Sequence, residues 1–339
     1  MKKAIIQILK ISGFAGLGIL LLYFAFRDIE LDELLNIIKN ANFWWVGASL
    51  LFLTLSFISR ARRWVLLIEP LNFKPSLRNT FYALMVGYLA NYALPRLGEV
   101  TRCVTLGKKE KIPVDSLFGT VIIERVFDLL MLILILLLLL FTWLEKFGGF
   151  FHDQLYIPFQ EKIIKAFGET YLFWAIIAAF LTVILILIYV FRKSLLKLKF
   201  FQKIRDLLKG VFLGLKTVYR MKRNWEFIFH TVFIWFCNIM MTWVLVFSLK
   251  ETSHLVFIDG VFLLVVGGIA FVAPVTGGFG AYHWMVSRAL YFVYGLTLEQ
   301  GGAYAILTHE ANSLYTILLG AISFAIILSS NKKRQYSHA

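Results

Sequence analysis

The feature that most constrains this chain is a series of uninterrupted apolar runs, each about 20 residues long. The stretch MLILILLLLLFTWL, which begins at Met131, does not alternate polar and apolar residues as a membrane-barrel strand does. An α-helix of about 20 residues spans the roughly 30 Å hydrocarbon core of a bilayer. Of the 339 residues 60% are hydrophobic and 16% are charged, which excludes an ordinary water-soluble fold. The sequence therefore predicts an all-α polytopic membrane protein.

Apolar runs of spanning length, bounded by charged residues, predict about six transmembrane helices. They are residues 5–26, 43–59, 116–142, 171–191, 227–249 and 301–328. The first run is too long for a signal peptide and no small-residue cleavage site follows it, so we expect a retained anchor. The two cysteines have no spacing typical of a disulfide framework or a zinc site.

The net charge of +15 is distributed unevenly along the chain, and this distribution predicts the topology. Loops rich in Lys and Arg stay in the cytoplasm. The basic segments are the N-terminus with Lys2 and Lys3, residues 60–78, residues 192–226 and the C-terminal tail. The slightly acidic segments are residues 27–42, 143–170 and 250–259. Alternation places both termini in the cytoplasm, and the basic, amphipathic segment 192–226 is typical of a helix on an anionic inner membrane surface rather than of a nucleic-acid site.

Two further apolar segments, residues 79–106 and 259–298, are interrupted by proline and glycine. The first reads NYALPRLGEVTR around Pro95, and the second reads AFVAPVTGGFGAYHW around Pro274. The charge pattern fits only if each segment begins and ends on one side, the first on the cytoplasmic side and the second on the outer side. The second segment could do so either as two short spans or as a re-entrant hairpin. We therefore predict two re-entrant hairpins in an inverted-repeat arrangement, an organisation typical of transporters. The alternative is that proline and glycine only kink packed helices.

The predicted organisation is one integral membrane domain covering residues 1–339. Its first half, residues 1–142, contains the hairpin 79–106, and its second half, residues 171–328, contains the hairpin 259–298.

Polar residues cluster at the hairpin breaks and in the span after each hairpin, in the sequences VIIERVFDLL and ILTHEANSLYT. Charges at membrane depth indicate function by default, although an internal pair of Arg125 with Asp128 would serve structure alone. Glycine backbone N–H groups at a helix start and several arginines favour an anion such as a phosphate. The candidate substrate-binding residues are Asn91, Arg96, Glu99, Arg102, Glu124, Arg125, Asp128, Gly277, Gly278, Gly280, His283, His309, Glu310 and Asn312.

Cofactors are not predicted. The sequence HEAN at His309 lacks the second histidine of HExxH, so we expect neither a metal site nor a zinc peptidase. No phosphate-binding loop of the GxxxxGK[ST] type is present, so nucleotide hydrolysis is not expected to supply energy.

These motifs together resemble the lysylphosphatidylglycerol synthase transmembrane (flippase-like) family, which includes the membrane half of the bacterial multiple peptide resistance factor. The resemblance covers almost the whole chain and implies a domain that moves phospholipid, often aminoacylated, between leaflets of the bacterial inner membrane. It also suggests a homodimer. Only about ten residues follow the last span, so translocation is expected rather than synthesis. Tyr282 and His283 stand where many relatives have an acidic residue, which leaves the substrate and any proton coupling open.

The leading hypothesis is therefore a flippase or scramblase that is not an enzyme and that receives a phospholipid headgroup between the two hairpins. One alternative is an intramembrane enzyme acting on a lipid-linked substrate, with Glu99, His283 or His309 as the acid or base. Another is a non-catalytic partner of a separate lipid synthase.

Overall fold

A computed structural model of the chain describes residues 18–94, 97–153, 221–271 and 275–336, together with Gly16 and a few isolated positions. The chain divides into two compact units, one formed by Met1–Phe141 and Met221–Ala339 and the other by Thr142–Arg220. The described part is helical and contains no β-strand. Its helices are α1 (18–26), α2 (Leu31–Lys39), α3 (Phe43–Ile68), α4 (Leu77–Ala93), α5 (Leu97–Glu110), α6 (Val114–Phe151), α7 (Asn224–Val244), α8 (Phe257–Ala270), α9 (Ala281–Tyr294) and α10 (Leu298–Tyr336).

Within the described ranges, four helices are long and apolar enough to cross a membrane: Phe43–Leu71, Val114–Phe150, Asn224–Ser248 and Leu298–Ser330. They coincide with four of the six predicted spans, which confirms a polytopic helical membrane protein. Of the span predicted at 5–26, the structure describes Gly16 and residues 18–26, which form α1. The span predicted at 171–191 lies outside the described residues. Nearly all of the basic segment 192–226 lies outside them too, although α7 already begins at Asn224.

The helix α3 continues past residue 59, where the predicted second span ends, through the basic residues to Ile68. Asn42 caps the helix start through a hydrogen bond from the Trp44 N–H to its side-chain oxygen, at 3.1 Å. A short 3-10 turn that contains Pro70 follows the helix, and Asn72 then adopts a left-handed φ of 65°. The helix is about 39 Å long at 1.5 Å per residue. The arginines of its basic end have acidic partners, Arg60 and Arg63 on α6 and Arg62 on α7.

The first predicted hairpin consists of α4 and α5, which pack against each other on either side of the break at Pro95 and Arg96. Both of those residues lie outside the described part. A Cβ atom on Gly98 would lie 2.2 Å from the carbonyl oxygen of Gly87, so only glycine permits this close approach. At the open end of the hairpin, Glu110 accepts a 2.6 Å hydrogen bond from the Asn79 side chain. The start of α4 and the end of α5 therefore lie together, as a hairpin requires.

The second predicted hairpin consists of α8 and α9, separated by a break that contains a 3-10 turn at Thr276–Gly278. Gly277, Gly278 and Gly280 have φ values of 60°, 77° and 77°, a backbone region in which a side chain is strained. At the open end, the Tyr294 hydroxyl donates a 2.8 Å hydrogen bond to Asp259. The break between the two helices and the contact between the start of α8 and the end of α9 match the predicted hairpin. Its insertion from one side of a membrane stays a prediction.

The hairpins pack against the long helices. A core cluster that includes Trp64, Ala83, Cys103 and Leu117 joins α3, α4, α5 and α6. The most extensive contact between two helices joins α3 and α7, and α10 packs on α4 and α9. The leucines at 134, 137 and 138 of α6 are about half exposed, which is typical of a surface that faces lipid.

Candidate functional site

A cavity of about 840 Å³ lies inside the first unit. Its volume falls in the range of about 300–1,000 Å³ that small-molecule sites occupy. Apolar residues such as Leu129, Leu132 and Leu263 form part of its wall. The polar residues that line it are Arg60, Tyr88, Asn91, Tyr92, Arg125, Asp128, Asn238, Thr242, Tyr282, Thr308, His309, Asn312, Ser313 and Thr316. The cavity is therefore amphipathic, and α3, α4, α6, α7, α9 and α10 all contribute polar groups to it.

Both hairpin breaks reach this cavity. Asn91 and Tyr92 line it just before the first break, and Gly277 and Gly278 line it within the second. A Cβ atom on Gly277 would lie 3.1 Å from the Tyr92 ring, so the glycine keeps the two breaks in contact. Asn91 also accepts a 2.7 Å hydrogen bond from the backbone N–H of Gly98 and so connects the two sides of its own hairpin. The breaks that the sequence places in separate halves thus meet at one site.

Asp128 of α6 is held by arginines of α3. Arg63 donates to Asp128 Oδ1 at 2.8 Å, and Arg60 donates to Oδ2 at 3.4 Å. The Arg63 side chain is fully buried, and its Nε and Nη1 atoms have no hydrogen-bond partner among the described residues. Because an unpaired buried charge is costly, the buried guanidinium of Arg63 requires the Asp128 carboxylate at this position.

Glu124, one helical turn earlier, is completely buried and pairs with two other arginines. Arg102 of the first hairpin reaches both carboxylate oxygens at 3.2 Å, and Arg125 donates to Oε1 at 3.0 Å. The Arg102 guanidinium also lies over the Trp64 ring, 4.8 Å from its centroid. Glu124 therefore links the first hairpin to α6, and its buried position makes this link a structural one.

The ion cluster carries an excess of positive charge. It contains four arginines, at 60, 63, 102 and 125, and two carboxylates, at 124 and 128. Arg60, Arg125 and Asp128 line the cavity, whereas the other three members do not. A guanidinium has five donor N–H groups in a fork that matches phosphate oxygens. Arg60 and Arg125 therefore place two guanidinium groups on the cavity wall beside one carboxylate, that of Asp128.

The structure separates the predicted site residues into groups. Those that line the cavity are Asn91, Arg125, Asp128, Gly277, Gly278, His309 and Asn312. Those that lie elsewhere are Glu99, Arg102, Glu124, Gly280, His283 and Glu310. Arg96 lies outside the described residues.

Gly280 departs most clearly from the expectation that its backbone N–H meets a ligand. A Cβ atom there would lie 2.6 Å from the backbone nitrogen of Leu22, so α1 packs directly on this glycine. Its glycine identity is explained by that contact and by its positive φ. Glu99 is partly buried, and its Oε2 atom has no hydrogen-bond partner in the described ranges.

Several lining residues were not anticipated from the sequence. Arg60 was counted as a loop charge that sets topology, and Tyr88 and Asn238 belong to no motif. Tyr92 and Ser313 lie in the quoted sequences NYALPRLGEVTR and ILTHEANSLYT, but they were not among the predicted site residues. Helical spacing offered a further signal, because Tyr88 and Tyr92 are four residues apart and so share a face with one another.

A second polar cluster, formed by His283, His309 and Glu310, lies at the edge of the cavity. Glu310 Oε1 is 3.0 Å from His309 Nδ1 and 3.3 Å from His283 Nε2. The other nitrogen of His309, Nε2, lies 2.7 Å from the carbonyl oxygen of Gly277 in the second break. His283 and His309 are almost fully buried. Three ligand atoms lie within 4.8 Å of one another, so this cluster has the donor set of a metal site.

The apolar helices and the amphipathic cavity with its charged residues define a multi-pass membrane protein. Residues 7–320 match the family described as the lysylphosphatidylglycerol synthase TM region, and the chain belongs to that family. It is also 23% identical over 328 residues to the UPF0104 membrane protein MJ1595 of Methanocaldococcus jannaschii, with 91% of this chain and 92% of the relative covered. No solved structure matches the chain.

Proposed function

We propose that this protein translocates a phospholipid, aminoacylated or otherwise modified, between the leaflets of a bacterial inner membrane. The observation that carries the proposal is the amphipathic cavity, in which both hairpin breaks meet an arginine-rich wall. The headgroup would enter the cavity, and the acyl chains would stay in the bilayer. Family membership supports this function, since the family is associated with lipid modification and transport.

The charges of the cavity favour a phosphate. Arg60 and Arg125 face it, and Asp128 is the acidic member of the ion cluster that lines it. Asp128 is already shared with Arg63, which lies behind the wall. Arg60 therefore has donors left for a second acceptor, because its single contact with Asp128, at 3.4 Å, uses one of five N–H groups. Asn312 on the opposite helix has a buried Oδ1 atom without a hydrogen-bond partner among the described residues, which suits an ammonium or hydroxyl group of the headgroup.

Reconstitution of the purified full chain into vesicles of phosphatidylglycerol and phosphatidylethanolamine tests the proposal. Trace lipid carrying a fluorophore on one acyl chain is included, with phosphatidylglycerol, lysylphosphatidylglycerol or phosphatidylethanolamine headgroups. A membrane-impermeant reductant then reports how fast label from the inner leaflet reaches the outer one. We expect faster exchange than in protein-free vesicles for at least one headgroup. Exchange rates equal to those of protein-free vesicles for all three headgroups would refute the proposal.

A matched pair of variants distinguishes a specific site from general leakiness. Arg60→Gln removes a cavity guanidinium, and Arg62→Gln removes one from the same helix that pairs with Glu226 at 2.7 Å and does not line the cavity. Loss of one charge-assisted hydrogen bond, about 1.5–3 kcal/mol, predicts exchange slower by about 10- to 100-fold for Arg60→Gln. Arg62→Gln should retain the wild-type rate. Equal lipid-exchange rates in the two variants would contradict a role of the cavity in translocation.

A second candidate function is an intramembrane enzyme acting on a lipid-linked substrate. The observation that favours it is His309, which lines the cavity and contacts Glu310 as an acid or base would. Mass spectrometry of the lipids after incubation separates the two candidates. A chemically changed lipid would support the enzyme, whereas unchanged lipid in the opposite leaflet would support translocation. A chain that does neither alone would fit a partner of a separate synthase.

A further inference from the structure

The cluster of His283, His309 and Glu310 has an unbalanced hydrogen-bond arrangement. A carbonyl oxygen can only accept, so the Nε2 atom of His309 must carry the proton that it donates to Gly277 at 2.7 Å. In a neutral imidazole the other nitrogen, Nδ1, is then a bare acceptor. That nitrogen faces the Glu310 carboxylate at 3.0 Å. Two acceptors therefore point at each other unless a positive charge lies between them.

Glu310 also differs from the carboxylates of the ion cluster in its partners. Its ion-pair contacts within the described ranges are to His283 and His309, and neither is an arginine or a lysine. Glu124, in contrast, is surrounded by three guanidinium groups at 3.0–3.9 Å. The Phe271 and Phe279 rings lie 6.2 and 4.8 Å from the His309 ring, measured between centroids, whereas the Glu310 side chain is 33% exposed. A positive charge between Nδ1 of His309 and the carboxylate, either a second proton on the imidazole or a metal ion, satisfies both acceptors.

We propose that His283, His309 and Glu310 bind a divalent transition-metal ion of the zinc type, through Nε2, Nδ1 and Oε1 respectively. Two imidazoles and one carboxylate form a known three-ligand set for zinc, in which a further position stays open to an oxygen ligand. Ligand atoms of a tetrahedral zinc site are about 3.3 Å apart, since each lies roughly 2.0–2.1 Å from the metal. Two of the three separations here, 3.0 and 3.3 Å, agree with that spacing.

The surroundings of His309 support a metal ligand. Histidines that bind metals commonly donate their other N–H to a carbonyl or a carboxylate, which fixes the ring orientation and the tautomer. His309 makes this bond to Gly277, so the ligand nitrogen is already directed at Glu310. The two imidazole rings, with centroids 4.9 Å apart, lie close enough for a small ring rotation to close the third ligand pair. Imidazole with one carboxylate favours zinc, cobalt or nickel over calcium or magnesium, which prefer oxygen ligands.

The test uses the full chain, purified in detergent without a polyhistidine tag and treated with a chelator. Zinc is then titrated in competition with a chelator of known affinity, and cobalt is added separately to give a visible absorption spectrum. We expect about one zinc ion per chain and the intense visible bands of tetrahedral cobalt. Wild-type protein that binds no zinc and shows only the weak spectrum of hydrated cobalt would overturn the proposal.

Variants identify the ligands. Glu310→Gln and His283→Ala should each weaken zinc binding by more than about 100-fold, because even changes to outer-shell partners of a metal cost 10- to 100-fold. His254→Ala is the matched control, since His254 is exposed and distant in sequence from the cluster. Should the alanine variant fail to fold, His283→Cys keeps a metal ligand and should add a thiolate-to-cobalt band in the near ultraviolet. Unchanged affinity in Glu310→Gln, or a cobalt spectrum without that band in His283→Cys, would refute the assignment.

The metal proposal stands apart from lipid translocation, because its measurements involve no lipid movement. A protein that binds zinc but moves no lipid would refute only the proposed function, and the reverse result would refute only the metal site.

Discussion

Replacing Glu124 with glutamine measures what the buried carboxylate contributes to stability. The Glu124 side chain is completely buried, and Arg102, which is 3% exposed, has no second carboxylate among its ion pairs in the described residues. Glutamine keeps the size of the side chain and one acceptor oxygen but removes the charge that balances Arg102 and Arg125. Breaking a buried ion pair from one side costs about 3–5 kcal/mol, since the remaining charge stays buried. We expect that loss in the free energy of unfolding.

The matched control is Glu226→Gln, because Glu226 also pairs closely with arginine but at a wetter position. Its side chain is 26% exposed and lies 2.7 Å from Arg62. Such partly exposed pairs contribute about 0–1 kcal/mol. Denaturant titration in mixed micelles, followed by circular dichroism, gives the free energy of unfolding of each variant. Equal losses for Glu124→Gln and Glu226→Gln would refute the reasoning.

A double variant provides a sharper criterion. Arg102→Met combined with Glu124→Gln also removes the guanidinium that the single variant leaves buried without a partner, and with it the cost of that unpaired charge. The double variant should therefore be more stable than Glu124→Gln alone. If the two single losses simply add, the residues do not act as a pair and the interpretation of the contact is wrong.

Further predictions concern the first hairpin. Gly98→Ala should lower the melting temperature markedly, because its Cβ would lie 2.2 Å from a carbonyl oxygen of α4. Gly119→Ala, which has open space around the new atom, should be neutral or slightly stabilising, and equal effects would contradict the close approach of α4 and α5. Lys108→Cys should react with a membrane-impermeant thiol reagent only from the cytoplasmic side, against a low background from the buried Cys103 and Cys237. Labelling from the outer side would exclude a hairpin that re-enters from the cytoplasm.

Hydropathy alone located four spans, since the length of an apolar run is a local property. It did not predict how far α3 continues, because Arg60 and Arg63 interrupt the apolar run but not the helix. Helix formation needs backbone hydrogen bonds, and the arginine charges are balanced by Asp128, which is 65 positions from Arg63 in the sequence. No local pattern reports a partner at that distance. The proline and glycine signals for the two breaks were local and were therefore readable.

The candidate site was predictable only in part. Charged residues in apolar surroundings directed attention to Arg125 and Asp128, and both line the cavity. The same signal selected Glu124, but this residue does not line the cavity. Its carboxylate is buried in the protein interior, where it pairs with Arg102 and Arg125. Tyr92 lies in the quoted sequence of the first hairpin but was not predicted as a site residue, because tyrosines are common in membrane proteins. Its importance comes from contact with Gly277 in the other half, which depends on tertiary packing.

The buried cluster of arginines and carboxylates also constrains how the chain is inserted into the membrane. An isolated Arg or Asp at the centre of a membrane helix costs about 2.5–3.5 kcal/mol during insertion. Arg63 meets its partner Asp128 only after another 65 residues have been synthesised. During that interval α3 must keep its basic end near water or within the insertion machinery. We therefore expect the release of α3 into lipid to depend on the arrival of α6.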